Sequence, residues 1–331
     1  MSEQLADLPV AVDAMGGDLS PVEIVAGAKR ASDELGIKVL LVGPPELVGD
    51  TLGLELFACS EVIGMDEDPA GGVRRKKDSS LVRSAELVRD GAACAMVSAG
   101  NTGATMGAAL LRMGRIKGVH RPCIATPLPR PGAIPSVLVD AGANAECTPA
   151  MLLQFAQMAA AFSTARFATT NPSVGLLSIG EEPSKGTPLV KETHALLSSP
   201  DSGVNFFGNV EGRDLLGAEA DVIVTDGFTG NVALKTMEGT LRFLLSTIFE
   251  VFGTNDETKA ASNVLLPYLA PIAASLDPES AGGAMLLGLE GVCIISHGSS
   301  SATAMMNAIR VGHDLAAAGI TDALREAVGA S

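Results

Sequence analysis

The stretch that decides the fold is residues 94–113, CAMVSAGNTGATMGAALLRM. Residues 94–97 are a short apolar run, and 98–104 (SAGNTGA) place two glycines, an amide and two hydroxyls at one turn. From residue 104 onward apolar residues recur at helical spacing. A strand that ends in a glycine-rich turn and feeds a helix aims several backbone N–H groups at one spot, at the positive end of the helix dipole. Such a turn can hold an anion, and it can also be a plain β-to-α connection that needs small residues. The choice rests on whether other turns resemble it.

Working outward, strand-like and helix-like segments alternate. Strands are predicted at PVAVDA (9–14), KVLLVG (38–43), AMVSA (95–99), PSVLVDAG (135–142), SVGLLSIG (173–180), VNFFGNV (204–210), DVIVTDG (221–227) and VCIIS (292–296). A helix is predicted near Ser20, with Ser20 and Glu23 as a capping box, Pro21 at its first position and Gly36 at its end. Others are predicted after Asp78, over Cys147–Ala165, near Leu189–Leu197 and over Ala304–Ala318. Strands alternating with helices predict a three-layer α/β/α fold with a mainly parallel sheet, in a single domain spanning 1–331. One segment, at about 238–275, breaks the alternation. Leu241, Leu244, Leu245, Ile248, Phe249 and Phe252 form a wide apolar face, FGTNDETK (252–259) turns the chain, and Val264, Leu265, Tyr268, Leu269 and Ile272 form a second apolar run with Pro267 and Pro271 as kink sites. This predicts a protruding helical hairpin, used either as a dimer contact or for packing on its own domain.

Composition sets the class. Of 331 residues 47% are apolar and 18% charged, and the net charge is −15, which disfavours general nucleic-acid binding. The 37 glycines are well above the usual share of about 7%. Five scattered cysteines with no Cys-x-x-Cys pair predict reduced thiols in a cytoplasmic protein. The acidic start MSEQLADLP has no basic segment leading into an apolar core, so no secretory signal is expected. The apolar stretch 147–165 contains Pro149, Gln154 and Gln157 and reads as a core-facing helix, not a membrane span.

Glycine-rich polar turns follow strand after strand: DAMGGD (13–18), SAGNTG (98–103), DAGAN (140–144), SIGEEPSKG (178–186), GNVEGRD (208–214), TDGFTGN (225–231) and SHGSSS (296–301). In an open parallel sheet these are the carboxyl ends, where ligand crevices form. Their hydroxyls, amides and N–H groups, with Lys185, Arg213 and His297, suit an oxyanion; Asp13, Asp18, Glu181, Glu182 and Asp226 could orient donors or position a metal. There is no G-x-G-x-x-G after the first strand, no G-x-x-x-x-G-K-[ST], no G-x-S-x-G and no H-E-x-x-H, so nucleotide kinases, ordinary dinucleotide dehydrogenases and α/β-hydrolases lose ground. No cofactor and no metal are assigned.

The blocks AVDAMGGD, RRKKDSSL, VSAGNTGA, RPCIATPLP, VDAGANAECTPAMLLQFAQM, VGLLSIGEEPSKG, FFGNVEGRDLL, DVIVTDGFTGNVALKTMEG, GGAMLLGLEGV and SHGSS, in this order over residues 9–312, identify the chain by resemblance as a member of the PlsX family of acyl-ACP:phosphate acyltransferases. The resemblance implies transfer of a fatty acyl group from acyl carrier protein to inorganic phosphate, with the acyl phosphate passing to a glycerol-phosphate acyltransferase in phospholipid synthesis. It also implies a homodimer, a fold similar to isopropylmalate dehydrogenases and phosphate acetyltransferases, and peripheral membrane attachment through the hairpin tip. Two positions depart from the family pattern: Ile295 stands where members often have Lys, and Gly282-Gly283-Ala284 where they often have Asn-Gly-Ala.

Phosphate attack on a thioester needs no enzyme nucleophile; it needs two anionic partners held together and a stabilised oxyanion. On that chemistry Ser98, Asn101, Thr102 and Gly103 are expected to hold phosphate, with Lys185 and Arg213 as charge partners. His297 is expected to donate to phosphate or the oxyanion, its alternative being a structural histidine of the turn. Asp13, Gly16, Gly17, Asp226, Thr229 and Asn231 are expected to line the pocket, the last three serving alternatively to cap a helix. Cys293 lies inside an apolar strand and reads as an inert core thiol. Residues 71–130 hold eleven Lys and Arg against three Asp and Glu, and Arg74, Arg75, Lys76 and Lys77 among them are expected to dock the acidic carrier protein, or else form a solvated face. The acidic hairpin tip, with Asp256 and Glu257 against Lys259, predicts weak or no direct binding to anionic membranes. Three other readings remain: a short-chain phosphate acyltransferase using acyl-CoA, a dehydrogenase of the same fold group, and a silent scaffold that binds carrier protein.

Overall fold

Val10, Ala11, Val12 and Asp13 are all buried, as a strand covered on both faces requires. In the computed structural model, which describes residues 5–130, 132–217, 219–276 and 278–329, this strand is β1 (Val10–Asp13). The chain continues through α1 (Val22–Leu35), β2 (Val39–Gly43), the short α2 (Pro45–Val48), β3 (Glu55–Ala58), α3 (Pro69–Arg75), α4 (Ser80–Arg89), β4 (Ala95–Ser98) and α5 (Thr102–Arg112). Next come β5 (Cys123–Leu128), β6 (Ser136–Val139), α6 (Pro149–Phe167), β7 (Ser173–Ser178), α7 (Pro188–Leu197), β8 (Asn205–Glu211) and β9 (Val222–Val224). The remainder is α8 (Gly227–Phe252), α9 (Asp256–Leu276), β10 (Ala284–Leu287), β11 (Val292–Ile295), α10 (Ala302–Ala317) and α11 (Ile320–Ala327).

The strands form one sheet in the order β3-β2-β1-β4-β11-β10-β5-β6-β9-β7-β8. Side chains alternate between its faces. Val12, Val97, Val139 and Val224 pack under Ile24 of α1, Phe155 of α6, Met305 of α10 and Leu324 of α11. On the opposite face Met96 and Ile295 pack under Leu81 of α4 and Ala108 of α5, and Leu138 and Ile223 under Met237 of α8. Leu234 of α8 touches both clusters of that face, so α8 ties the two halves of the sheet. The three-layer α/β/α fold is the one expected.

The sheet is not parallel throughout. β10 runs antiparallel to both of its neighbours, β11 and β5, and β5 runs antiparallel to β6. The physical reason is the connection: no helix lies between β5 and β6 or between β10 and β11, and a short link can join only antiparallel neighbours. Strands β6, β9, β7 and β8 therefore point opposite to β1, β2, β3, β4 and β11. The carboxyl ends of the two halves lie on opposite edges of the sheet.

The expected capping box at Ser20 does not form. The helix begins at Val22, Ser20 Oγ donates to the Gly17 carbonyl at 2.8 Å, and Glu23 accepts from Ala302 N–H at the start of α10, at 2.7 Å. A second helix N-terminus offers that carboxylate the same favourable dipole. Gly36 ends α1 in the left-handed conformation (φ 69°), as its lack of Cβ allows. The hairpin arms are α8 and α9, and α9 runs through Pro267 and Pro271 as one helix. Phe243, Phe249, Val251, Val264, Tyr268 and Ile272 remain exposed along it. Among the described residues no helix is long and apolar enough to cross a membrane.

Candidate active site at one edge of the sheet

Three of the glycine-rich turns converge at the carboxyl ends of β1, β4 and β11. Asp18 N–H donates to the Gly298 carbonyl at 2.7 Å, and Ser296 N–H to the Ser98 carbonyl at 2.9 Å. Ser98 is buried; its hydroxyl donates to Asp13 Oδ2 at 2.7 Å and accepts from Gly100 N–H at 3.0 Å. Gly16 lets the first turn close on the second, because a Cβ there would lie 2.7 Å from Gly100 N. Burial raises the pKa of the Asp13 carboxyl, against the hydrogen bonds from Ser80, Ser98 and Met15 that lower it. Asp13 and Ser98 thus hold the turns together.

Helix N-termini at this edge differ in what already fills them. At α10, Ser301, Glu23 and Glu279 supply oxygens, two of them carboxylates. At α5 the cap is the neutral Asn101, whose Oδ1 accepts from Ala104 N–H at 3.0 Å, and no acid lies in the first turn. Asn101 Nδ2 donates to the Met65 carbonyl at 2.7 Å, tying the segment before α3 to the start of α5. Thr102 and Gly103 are exposed. The positive dipole end of α5 is therefore open to an anion.

His297 follows the adjacent strand β11 at the same edge, exposed, with Nε2 2.9 Å from Lys235 Nζ. Lys235 Nζ donates to Glu238 Oε2 at 2.8 Å. Burial would raise Glu238, but its partnership with His297 and Lys235 brings it down to about 2, so it is ionised. Lys235 reaches this edge because α8 starts at the opposite one: nine residues of helix climb ~13 Å, about the length of a four-residue strand. The helix lies against β6 where Gly230 has no side chain; a Cβ there would be 2.0 Å from the Asp140 carbonyl oxygen.

Residues 8–323 match the family model described as fatty acid synthesis protein. A phosphate acyltransferase of Elusimicrobium minutum is 46% identical over 326 residues, covering 96% of this chain and 95% of the relative. One of Nostoc sp. is 46% identical over 310 residues, covering 91% of each. The chain belongs to the PlsX family of phosphate acyltransferases. Solved structures with the same fold include a phosphotransacetylase of Streptococcus pyogenes (TM-score 0.62, 18% identity, covering 95% of this chain and 96% of that one). A branched-chain phosphotransacylase of Enterococcus faecalis has TM-score 0.59 and 15% identity, covering 93% and 99%.

In this PlsX-family chain the remaining site candidates lie elsewhere. Asp226, Thr229 and Asn231 sit at the opposite edge: Asp226 caps α8, accepting from Thr229 N–H at 2.9 Å and Thr229 Oγ1 at 2.8 Å, and Asn231 Nδ2 donates to the Ala141 carbonyl at 3.1 Å. Lys185 and Arg213 also follow strands of the reversed half, and Arg213 is exposed and pairs with Glu211 at 2.9 Å and Glu181 at 3.2 Å. The structure does not bring these five together with Asn101 and His297. Asp13, Gly16, Gly17, Ser98, Thr102 and Gly103 do share that edge. Of the basic run, Lys76 bonds Glu67 at 2.6 Å and the Val62 carbonyl at 2.7 Å, and Arg75 lies 3.7 Å from Glu67, while Arg74 and Lys77 are exposed. They lie on and just after α3, which packs on α5 so closely that a Cβ on Gly103 would be 2.9 Å from Pro69. Cys293 is fully buried and its thiol is pushed up to about 12, so it offers no thiolate. Ile295 points into the apolar cluster beneath α5. Lys235 and Glu238 were not singled out from the sequence. Their signal was there, a cation and an acid three apart on the helix that follows TDGFTGN, but the same pattern is common on solvated helix faces.

Proposed function

We propose that this chain transfers a long-chain fatty acyl group from acyl carrier protein to inorganic phosphate, forming acyl phosphate for phospholipid synthesis. The observation that carries the reading is that the acid-free N-terminus of α5 and the His297 turn follow adjacent parallel strands, β4 and β11, at one sheet edge. An oxygen of hydrogen phosphate forms a bond to the thioester carbon, the C–S bond breaks with its electron pair going to sulfur, and the phosphate proton ends on the thiol. A thiol of pKa about 8.5 leaves without strong acid assistance, so holding the partners and stabilising the oxyanion supply the rate. Thr102 and Gly103 hold phosphate through backbone N–H groups, and His297 donates to phosphate or the oxyanion. Asn101 and Ser98 keep the α5 turn in place.

A carrier protein as donor is supported by Arg74 and Lys77, exposed next to the helix whose N-terminus holds the anion. The exposed apolar sides of α8 and α9 support a homodimer built through the hairpin. The product would feed a glycerol-phosphate acyltransferase, and the enzyme works in the cytoplasm. The test is mass detection of acyl phosphate, or its hydroxamate after trapping, from phosphate with palmitoyl-ACP and, separately, palmitoyl-CoA. Product from palmitoyl-ACP at the higher rate is expected. Product from short-chain acyl-CoA alone would replace the donor, and binding of palmitoyl-ACP with no product would leave a scaffold.

A further inference from the structure

The geometry points to Lys235 as the cation that binds the reacting phosphate, with Glu238 as the residue that positions it; this rests on the acyl-transfer reading and names the charge partner of that same site. An ammonium has three N–H donors and no acceptor. Lys235 gives one to Glu238 Oε2 at 2.8 Å and one to His297 Nε2 at 2.9 Å. The third is left for a ligand oxygen, and the side chain is 48% exposed, open to a small anion from solvent.

The network also fixes what His297 can do. Glu238, 13% exposed, accepts from Lys235 at 2.8 Å, and a lysine ammonium has only donors, so the 2.9 Å contact has nitrogen donating to His297 Nε2. Nε2 faces Lys235 and lies 3.8 Å from Glu238 Oε2, so the ring edge left for a ligand is the one that carries Nδ1. Lys185 and Arg213, the cations expected from sequence, follow strands whose carboxyl ends lie at the other edge. Lys235 instead comes from the opposite half of the sheet on α8, which spans its face and delivers the charge beside His297, at the edge where α5 begins. A surface ion pair with no ligand would be worth little; this one has its carboxylate mostly enclosed and its cation shared with an exposed histidine.

Three variants test the assignment in the full-length protein: Lys235→Met, which keeps most of the stem and removes the charge, Lys235→Arg, which keeps the charge, and Glu238→Gln. Thermal melts establish folding. Steady-state kinetics with palmitoyl-ACP and direct calorimetric titration with inorganic phosphate provide two readouts. Lys235→Met should raise the KM for phosphate and weaken phosphate binding by about ten- to a hundredfold, the scale of one hydrogen bond to a charged group, with the KM for palmitoyl-ACP near the parent value. Lys235→Arg should recover part of the loss, and Glu238→Gln should lose less than Lys235→Met. A folded Lys235→Met with parental phosphate binding overturns the assignment, as does an equal loss for both substrates. A parent protein that binds phosphate in a Lys235-dependent way but makes no acyl phosphate would retain the cation assignment and refute the acyl-transfer reading, so the two fail separately.

Discussion

Gly230 and Gly239 sit nine residues apart on the same helix, and substituting each by alanine should have opposite effects. At Gly230 the new Cβ would be 2.0 Å from the Asp140 carbonyl oxygen and 3.0 Å from Thr225 Cγ2. The carbonyl has little room to yield, because the Asp140 carboxylate accepts from the N–H groups of Ile124, Gly142, Ala143 and Asn144 at 2.8–3.1 Å and fixes its own turn. Helix α8 must therefore move by about 1 Å, and overpacking of this kind costs about 3 kcal/mol, the upper part of the usual range. With an unfolding entropy of about 2.1 cal/mol/K per residue over 331 residues, that lowers the melting temperature by about 4 °C. At Gly239 nothing lies within 4 Å of a new Cβ, so Gly239→Ala should stabilise by about 0.5–1 kcal/mol through helix propensity and raise the melting point by about 1 °C. The displaced helix also carries Lys235, and misplacement by about 1 Å can cost about a hundredfold in rate, so Gly230→Ala should lose turnover beyond its stability loss while Gly239→Ala keeps it. Calorimetric melts and acyl phosphate assays on both variants check this. Gly230→Ala with parental melting point and turnover would refute the packing argument, and so would equal destabilisation by the two.

Four further outcomes are expected. Glu238 has a folded pKa lowered to about 2, so its own titration contributes stability fully above its unfolded value of about 4.3 and loses it as pH falls toward 2; the melting-point gap between the parent and Glu238→Gln should be present at about pH 5 and close between about pH 4 and 2. His297→Ala should lower turnover about tenfold or more in a folded protein, whereas Asn101→Ala should also cost about 1 kcal/mol of stability by removing the α5 cap, which melts and rates together separate. Reversing only Arg74 and Lys77 to Glu should weaken use of palmitoyl-ACP more than use of phosphate, with added salt doing likewise; equal loss with an uncharged acyl-thioester would count against docking. At the hairpin tip Asp256 is fully exposed and 3.9 Å from Lys259, so little net positive charge meets an anionic surface; most of the protein should stay in the supernatant with anionic phospholipid vesicles at physiological salt, and sedimentation abolished by Phe252→Glu would reverse that expectation.

The reading of strands and helices from sequence rested on local signals, and those signals are physical properties of short segments. Val10–Asp13, Val39–Gly43, Ala95–Ser98 and Val292–Ile295 are runs of buried β-branched or apolar residues, and α6 begins at Thr148-Pro149 with its cap in place. The family, too, was legible, because long ordered blocks such as DVIVTDGFTGNVALKTMEG are sequence facts. Three strands escaped the reading: the edge strand β3, β5 and β10. β5 carries Pro127, and β10 is only Ala284–Leu287. These two, each antiparallel to both its neighbours, divide the sheet into opposed halves, so seven similar turns that look like one crevice in sequence are split between two edges.

The sequence by itself determined an α/β protein of the phosphate acyltransferase family with glycine-rich turns after its strands, since composition, periodicity and motif order are all local or ordered along the chain. Tertiary structure alone decided which turns meet, that Ser98 and Asn101 spend their side chains on the fold, and that Lys235 and Glu238 arrive beside His297. Lys235 and His297 are 62 residues apart, and their contact follows from strand direction and the path of α8 across the sheet, which depend on long-range pairing that no single segment encodes.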